Sequence, residues 1–192
     1  TVAQALILDA ATTGAITADI TEGDLTTLTA LTDANGNNAL TITLTDTSAD
    51  AVDLNTVAAI TSVIVDATAV TAITGTADAI VAVAQSDGIT TATNYAATVD
   101  SGTATVAQAL ILDAATTGAI TADIKEGDLT TLTALADANG NNALTITVTD
   151  TSADAADLNT VATITSVAVD AKAVTMISGS AATIITTLQL SL

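Results

Sequence analysis

Residues 40–45 read Leu-Thr-Ile-Thr-Leu-Thr, and the same alternation returns at 144–149 as Leu-Thr-Ile-Thr-Val-Thr. Because successive side chains of a β-strand point to opposite faces, this order predicts a strand with aliphatic side chains inside and threonines outside. The repetition extends far beyond the strand, since 67 of 77 positions are identical between residues 1–77 and 105–181. A repeat this close predicts one structural unit that is copied in series.

We therefore predict that residues 1–192 form a single continuous repeat array, with a 104-residue unit at 1–104 and a partial copy at 105–192. Strand-like segments begin near residues 16, 40, 63 and 95, which gives about four coils for each unit. Alanine-rich segments that permit helices lie between them. The clearest helix start is Thr105, because Gln108 follows it at the spacing of a capping box.

Alternating strands and helices at this spacing predict an α/β solenoid, built from strand–helix coils like those of leucine-rich repeats and holding one parallel sheet. An all-β solenoid is the first alternative, because threonine and valine weaken the helix propensity of several segments. A row of β-sandwich domains is the second. Leu188, Leu190 and Leu192 alternate with polar residues, and this pattern predicts a strand at the end of the sequence.

The composition indicates a core of small aliphatic side chains. Apolar residues make up 49% of the chain and aromatic residues only 1%, with Tyr95 as the single aromatic side chain. The 42 threonines favour β-structure with a hydroxyl-bearing face. Cysteine is absent, so no disulfide contributes to stability. A mean hydropathy of +0.62 indicates that the chain can bury enough apolar surface to fold.

The net charge of −19 excludes several classes of function. The chain has nineteen Asp and two Glu, and its only basic residues are Lys125 and Lys172. Such a chain repels phosphate backbones, so nucleic-acid binding is not expected. The longest uncharged stretch, residues 173–192, carries too many Ser and Thr to span a membrane. Such charge needs high ionic strength or bound cations, and both occur outside cells. We therefore predict an extracellular or cell-surface location.

The residue types also argue against an enzyme. The chain contains neither His nor Cys, which removes the nucleophile systems and zinc sites that depend on those side chains. Pairs of carboxylates could still act as acid and base, but these Asp residues recur in step with the repeat, whereas catalytic pairs are unique.

Two groups of oxygen-bearing side chains predict calcium sites, because Ca²⁺ prefers carboxylate and amide oxygens. The first group lies in two Asp-x-Asn-Gly segments, for which an Asn-Gly turn is the alternative interpretation; it consists of Asp33, Asn35 and Asn37 with Asp137, Asn139 and Asn141. The second group follows the predicted strands, for which helix caps and turns are the alternative; it consists of Asp46, Asp66, Asp100, Asp150 and Asp170, with Glu22 and Glu126 at matching positions.

Residues 69–80 read Ala-Val-Thr-Ala-Ile-Thr-Gly-Thr-Ala-Asp-Ala-Ile, and residues 173–184 keep this order loosely. The segment resembles the Thr/Ala/Asp-rich TGTA-type repeats of giant bacterial, notably cyanobacterial, extracellular and cell-surface proteins. Residues 46–57 are similar to the linking segments of the same proteins. The resemblance implies export, with calcium-rich relatives, and a role in surface coats, adhesion or extracellular fibres. It implies no catalytic residues.

Neither end of the sequence supplies the polar cap that stops a repeat array from stacking on its neighbour. We therefore expect one of two situations, either head-to-tail self-association into a homopolymer or a chain that is part of a longer array. The predicted function is that of a structural extracellular repeat protein that forms a rod or filament. The alternative is a calcium-dependent adhesin segment that binds a glycan or another surface.

Overall fold

The computed structural model describes residues 1–189, and within them helices alternate with short strands. The helices are α1 (Val2–Ala11), α2 (Leu25–Leu28), α3 (Ala51–Ala58), α4 (Ala77–Ala84), α5 (Val106–Ala115), α6 (Leu129–Leu132), α7 (Ala155–Thr163) and α8 (Ala181–Gln189). The strands are β1 (Thr17–Asp19), β2 (Ala39–Thr41), β3 (Ser48–Asp50), β4 (Val65–Ala67), β5 (Ala72–Thr76), β6 (Ile89–Thr91), β7 (Ala96–Ser101), β8 (Ile120–Asp123), β9 (Ala143–Thr145), β10 (Ser152–Asp154) and β11 (Met176–Ser178).

The chain divides into two compact units, Thr1–Tyr95 and Ala96–Leu192. In the first unit β1 pairs with β2, β3 with β5, and β4 with β6. In the second unit β8 lies between β7 and β9, and β10 pairs with β11. Each of these pairs is parallel, which agrees with the helix-containing connections that parallel neighbours require.

The prediction of an α/β solenoid with one parallel sheet is wrong. The strands described in residues 1–189 do not form one sheet: the first unit holds three parallel pairs, and the second holds a three-stranded parallel group and one further pair, in an α/β fold. The sequence pattern missed β3 and β5, which are only three and five residues long and place additional strands beside the helices. The helices exclude the all-β alternative, and the parallel pairs oppose a row of antiparallel β-sandwiches.

The alternating burial predicted for residues 40–45 and the capping box at Thr105 are confirmed, although strand β2 ends at Thr41. Leu40, Ile42 and Leu44 are each 1% exposed, while the threonines between them face solvent. The Thr105 side chain accepts from the Gln108 main-chain N–H at 3.2 Å, and the Gln108 side-chain oxygen accepts from the Thr105 N–H at 2.9 Å. The capping box therefore starts α5 as its spacing predicts.

The strand predicted at the end of the sequence is wrong where it can be compared with the structure. Leu188 lies in helix α8, whereas Leu190 and Leu192 lie outside the described residues. The residues before Leu188 include Ala181, Ala182, Ile184 and Ile185, which also fit a helical periodicity. Short apolar runs of this kind fit both patterns, and the structure selects the helix.

Threonine side chains also connect segments that are distant in the sequence. The Thr61 hydroxyl lies 2.8 Å from both the main-chain nitrogen and the carbonyl oxygen of Leu40, 21 residues earlier. Thr165 makes the same pair of contacts with Leu144, at 2.8 and 2.7 Å. Each hydroxyl accepts from the N–H and donates to the carbonyl, so a polar side chain satisfies the main chain of a neighbouring segment.

Gly23 allows two neighbouring segments to approach closely. Its carbonyl accepts from the Thr45 N–H at 2.9 Å, and a Cβ atom at Gly23 would lie 2.7 Å from the Thr45 Cγ2 atom. The second copy repeats this contact, where a Cβ atom at Gly127 would lie 2.6 Å from the Thr149 Cγ2 atom. Glycine is therefore needed here for lack of space.

We expect Gly23→Ala to lower the free energy of unfolding by about 1–3 kcal/mol, because the added methyl group overlaps the Thr45 side chain. Gly88→Ala is the matched control, since a Cβ atom there would make only ordinary contacts at 3.5 and 3.9 Å. This control should change the unfolding free energy by less than about 1 kcal/mol. Urea unfolding followed by circular dichroism measures both variants, and equal values would contradict the packing argument.

Candidate functional site

A buried asparagine ends each of the two Asn-Gly turns and connects it to earlier parts of the chain. Asn38 is 2% exposed; its side-chain oxygen accepts from the Ile16 N–H at 3.1 Å, and its side-chain nitrogen donates to the Asp9 carboxylate at 3.1 Å. Asn142 makes the equivalent bonds to Ile120 and Asp113, each at 3.0 Å. The amide thus joins a strand start and a helix to the turn.

The six predicted calcium ligands of these turns bond to the main chain. The Asp33 carboxylate accepts from the N–H groups of Asn37 at 3.2 Å and Asn38 at 3.1 Å. The side-chain amides of Asn35 and Asn37 donate to the carbonyls of Thr12 and Thr13, at 3.3 and 3.2 Å. This arrangement is that of the alternative interpretation, an Asn-Gly turn with an aspartate at its start.

The second copy repeats this turn, with bond lengths that differ by at most 0.2 Å from those of the first. The Asp137 carboxylate accepts from the N–H of Gly140 at 2.8 Å and from the N–H of Asn142 at 3.1 Å. Asn139 and Asn141 donate to the carbonyls of Thr116 and Thr117, at 3.5 and 3.1 Å. In both copies, main-chain N–H groups donate to both carboxylate oxygens of the aspartate that starts the turn.

Two of the five aspartates predicted beside strands cap helices. An Asp46 carboxylate oxygen accepts from the Leu25 N–H at 2.6 Å, at the first residue of α2, and Asp150 does the same for Leu129 of α6. Glu22 reaches the first residue of α1 in the same way, with a bond from the Val2 N–H at 3.1 Å. A carboxylate at a helix N-terminus is favoured by the helix dipole.

The other three aspartates lie apart from these caps. Asp66 accepts from the hydroxyl of Thr68 at 2.7 Å, Asp170 pairs with the Lys172 ammonium at 3.0 Å, and Asp100 is exposed near the end of β7. Hydrogen bonds from Thr68 lower the pKa of Asp66. Within residues 1–189, no three or more acidic side chains come close enough together to hold a metal ion. Calcium binding stays a prediction.

Sequence reasoning missed Asp9, which lies on helix α1 and is only 7% exposed. Its carboxylate accepts from the Thr32 hydroxyl at 2.8 Å, from the Asn38 side chain at 3.1 Å and from the Ala34 N–H at 3.3 Å. The hydrogen bond from Thr32 is the main reason why the pKa of Asp9 is lowered, and the bond from Asn38 adds to it against the effect of burial. A lone acid among apolar helix residues was the available signal.

The first twenty residues form a surface whose sequence is the same in both copies but whose burial differs between them. Residues 1–20 are identical to residues 105–124. Leu8 is 49% exposed, whereas its counterpart Leu112 is 0% exposed. A difference in the same direction separates other pairs, namely Ile7 from Ile111, Ala18 from Ala122, Thr12 from Thr116, and Ala15 from Ala119. Since the side chains are the same, only their surroundings cause this difference.

A groove of about 440 Å³ runs between α1 and β1 on this surface. It is lined by Thr1, Gln4, Ala5, Ile7, Leu8, Ala18, Asp19 and Ile20, and we call it the α1/β1 groove. Five of the eight residues are apolar, and the polar ones, Thr1, Gln4 and Asp19, are exposed. Exposed apolar side chains gathered in this way mark an interaction surface more often than isolated ones do.

One edge of β1 borders the same groove. Among the strands in residues 1–189, β1 pairs with β2 alone. Its counterpart β8 pairs with β9 on one edge and with β7 on the other. Within residues 1–189, no strand lies along the edge of β1 that corresponds to the β7 side, and a strand edge of this kind presents a row of main-chain donors and acceptors.

Comparison with known proteins adds no family to this description. No protein-family model, no curated protein and no solved structure matches the chain. The resemblance to bacterial surface repeats therefore stays a prediction. None of the helices within residues 1–189 has both the length and the apolar character that crossing a bilayer requires.

Acid should destabilise the protein in part through Asp9. Because the pKa of Asp9 is lowered in the folded state, its contribution to stability is present above the unfolded pKa and is lost as the pH falls through the folded pKa. Thr32→Ala removes the main cause, so we expect the Asp9 pKa to rise toward its ordinary value. A carboxyl ¹³C titration measures this shift, and an unchanged Asp9 pKa would refute the role of Thr32.

Leu8→Ala and Leu112→Ala form a matched pair with identical local sequence. We expect Leu112→Ala to lower the unfolding free energy by roughly 2–5 kcal/mol, because it leaves a cavity at a fully buried position. Leu8→Ala should cost less than about 1 kcal/mol, since half of this side chain already faces solvent. Denaturant unfolding of the two variants tests the difference; similar losses would show that Leu8 is covered in solution.

Proposed function

We propose that this chain is a structural, non-enzymatic repeat protein of the bacterial cell surface or extracellular matrix, and that its repeats join head to tail into a rod or filament. The observation that carries this proposal is the difference in burial between two identical surfaces. Leu112 is fully buried, while Leu8 at the same place in the first copy is half exposed. The surface around Leu8 is thus one side of a contact that the same sequence makes elsewhere.

The kind of contact indicates the kind of assembly. A surface that is complementary to a different part of the same molecule gives a heterologous interface, and such interfaces build open polymers unless the rotation closes a ring. The partner surface in this proposal comes from another repeat of the same design. Each added repeat would cover one such surface and present the next.

The chemistry of the described side chains also supports a structural role. The carboxylates of Asp33, Asp46 and Asp9 accept hydrogen bonds from main-chain N–H groups and fix turns and helix starts. The two copies repeat this use of Asp33 and Asp46, as expected for groups that hold a repeated architecture. A net charge of −19 keeps such a polymer soluble and suits the ionic strength outside cells.

Sedimentation velocity and negative-stain electron microscopy of the purified chain test the proposal. We expect larger species to grow with protein concentration, and more so at high salt, because screening reduces the repulsion between acidic chains. Leu8→Lys should suppress growth, since it places a charge in the α1/β1 groove. Val52→Lys is the control, because Val52 is 54% exposed on α3 and lies outside that groove.

A chain that sediments as a monomer at every concentration and salt would contradict the proposed assembly, as would equal effects of the two lysine variants. Repeating the series with millimolar calcium and with a chelator examines the adhesin alternative. Assembly or glycan binding that needs calcium specifically, and not an equal ionic strength of sodium chloride, would favour that alternative.

A further inference from the structure

We propose that the open edge of β1 takes up an extended segment with the sequence of residues 96–104 as an added parallel strand. The segment would come from another repeat of the same kind, and in this respect the proposal rests on the proposed function. It goes further because it names the segment, the strand edge and the register of the contact.

The second copy shows the complete arrangement. Strand β7 lies along the edge of β8 in parallel, with Ala97 opposite Ile120 and Thr98 opposite Thr121. Residues 105–124 repeat residues 1–20 without a change, so the same register would place Ala97 opposite Ile16 and Thr98 opposite Thr17.

The hydrogen bonds of this pairing involve only main-chain atoms. The Ala97 N–H donates to the Ala119 carbonyl at 2.9 Å, the Ala104 N–H donates to the Asp123 carbonyl at 2.9 Å, and the Lys125 N–H donates to the Ala104 carbonyl at 2.9 Å. The equivalent groups on the first copy are, in the same order, the carbonyls of Ala15 and Asp19 and the N–H of Thr21. The exchange of Lys125 for Thr21 leaves this pattern intact, because the side chain takes no part in it.

Side-chain size favours the same occupant. Ala97 and Ala104 are both 0% exposed where they lie beside β8, and Ala122 of β8 is 3% exposed. Its counterpart Ala18 is only half-buried and lines the α1/β1 groove. The two alanines of an added segment would be buried beside β1 in the same way.

The sequence of the segment 96–104 occurs once in this chain. In that one place it contains strand β7, which already pairs with β8. A second copy of the chain could supply this segment only by releasing it from its own β8. A separate repeat, or a synthetic peptide, supplies it without that cost. Added strands of this type gain affinity from main-chain bonds and specificity from alternate side-chain pockets.

The experiment uses the full chain, labelled with ¹⁵N, and an acetylated and amidated peptide of residues 93–104. We expect the peptide to shift the amide signals of Leu8 and Thr21 and to slow the hydrogen exchange of the Thr21 N–H. The signals of Leu112 and Lys125 serve as an internal control and should stay unchanged, because their strand edge already carries β7. Shifts of equal size in both copies would overturn the proposal.

A peptide with Ala97→Pro is the matched control. In the second copy the Ala97 N–H donates to the Ala119 carbonyl, whose counterpart in the first copy is the Ala15 carbonyl. The proline peptide lacks this N–H, so its affinity should fall at least about tenfold. A proline peptide that binds as well as the original would show contact by another mode. Leu8→Lys in the chain should weaken the original peptide, while Val52→Lys should leave its binding unchanged.

A fusion protein tests the same strand contact if the free peptide binds weakly. Residues 89–104 are fused directly ahead of Thr1, which reproduces the connection of Ala104 to Thr105 in the second copy. We expect the Thr21 N–H to become protected from exchange to the level of the Lys125 N–H, and the melting temperature to rise. Exchange of Thr21 that stays as fast as in the unfused chain would overturn the proposal.

The outcomes separate this proposal from the proposed function. Peptide binding at β1 without concentration-dependent growth supports the strand contact and contradicts filament formation. Growth that neither the peptide nor the fusion suppresses supports the filament and contradicts the strand contact, because a second copy would then occupy the surface in another way.

Discussion

The side-chain amides of Asn38 and Asn142 hold each copy together by bonding to groups that lie 22 and 29 residues earlier. Each amide is almost fully buried, so it must find partners for both its oxygen and its nitrogen. The partners are a main-chain N–H at a strand start and a carboxylate on a helix. These bonds fix where the turn, strand and helix meet, and the apolar side chains pack around that point.

Because the aliphatic side chains of the core are small, polar side chains are needed to satisfy the main-chain groups of closely packed segments. Alanine, valine, leucine and isoleucine fill the interior, and Tyr95 is the one aromatic side chain, 1% exposed, with a pKa that burial raises. Segments built from such residues lie close together, as the space at Gly23 shows. Threonine hydroxyls, asparagine amides and aspartate carboxylates then satisfy the main-chain groups that face one another. Asp9, Asp33 and Asp46 thus have structural roles in addition to their charge.

Strong local signals were reliable guides to this fold, and short strands were not. The alternation at Leu40 and the capping box at Thr105 each depend on neighbouring residues, and the structure confirms both. Strands β3 and β5 have no such signal, and their pairing joins residues that are 24 positions apart in the sequence, such as Ser48 and Ala72. Asp9 was missed for a similar reason, since its partners Thr32 and Asn38 are distant in the sequence.

The sequence by itself determined the repeat, the aliphatic core, the helix starts and the strongly acidic surface, because each of these follows from residue identity or from contacts within a few positions. Only the tertiary structure decided how the strands divide among sheets and which of two identical surfaces is buried. Residues 1–20 and 105–124 carry the same side chains, yet β7 covers the edge of β8 and no described strand covers that edge of β1. Burial depends on what lies beside a residue in space, and identical residues cannot encode that difference.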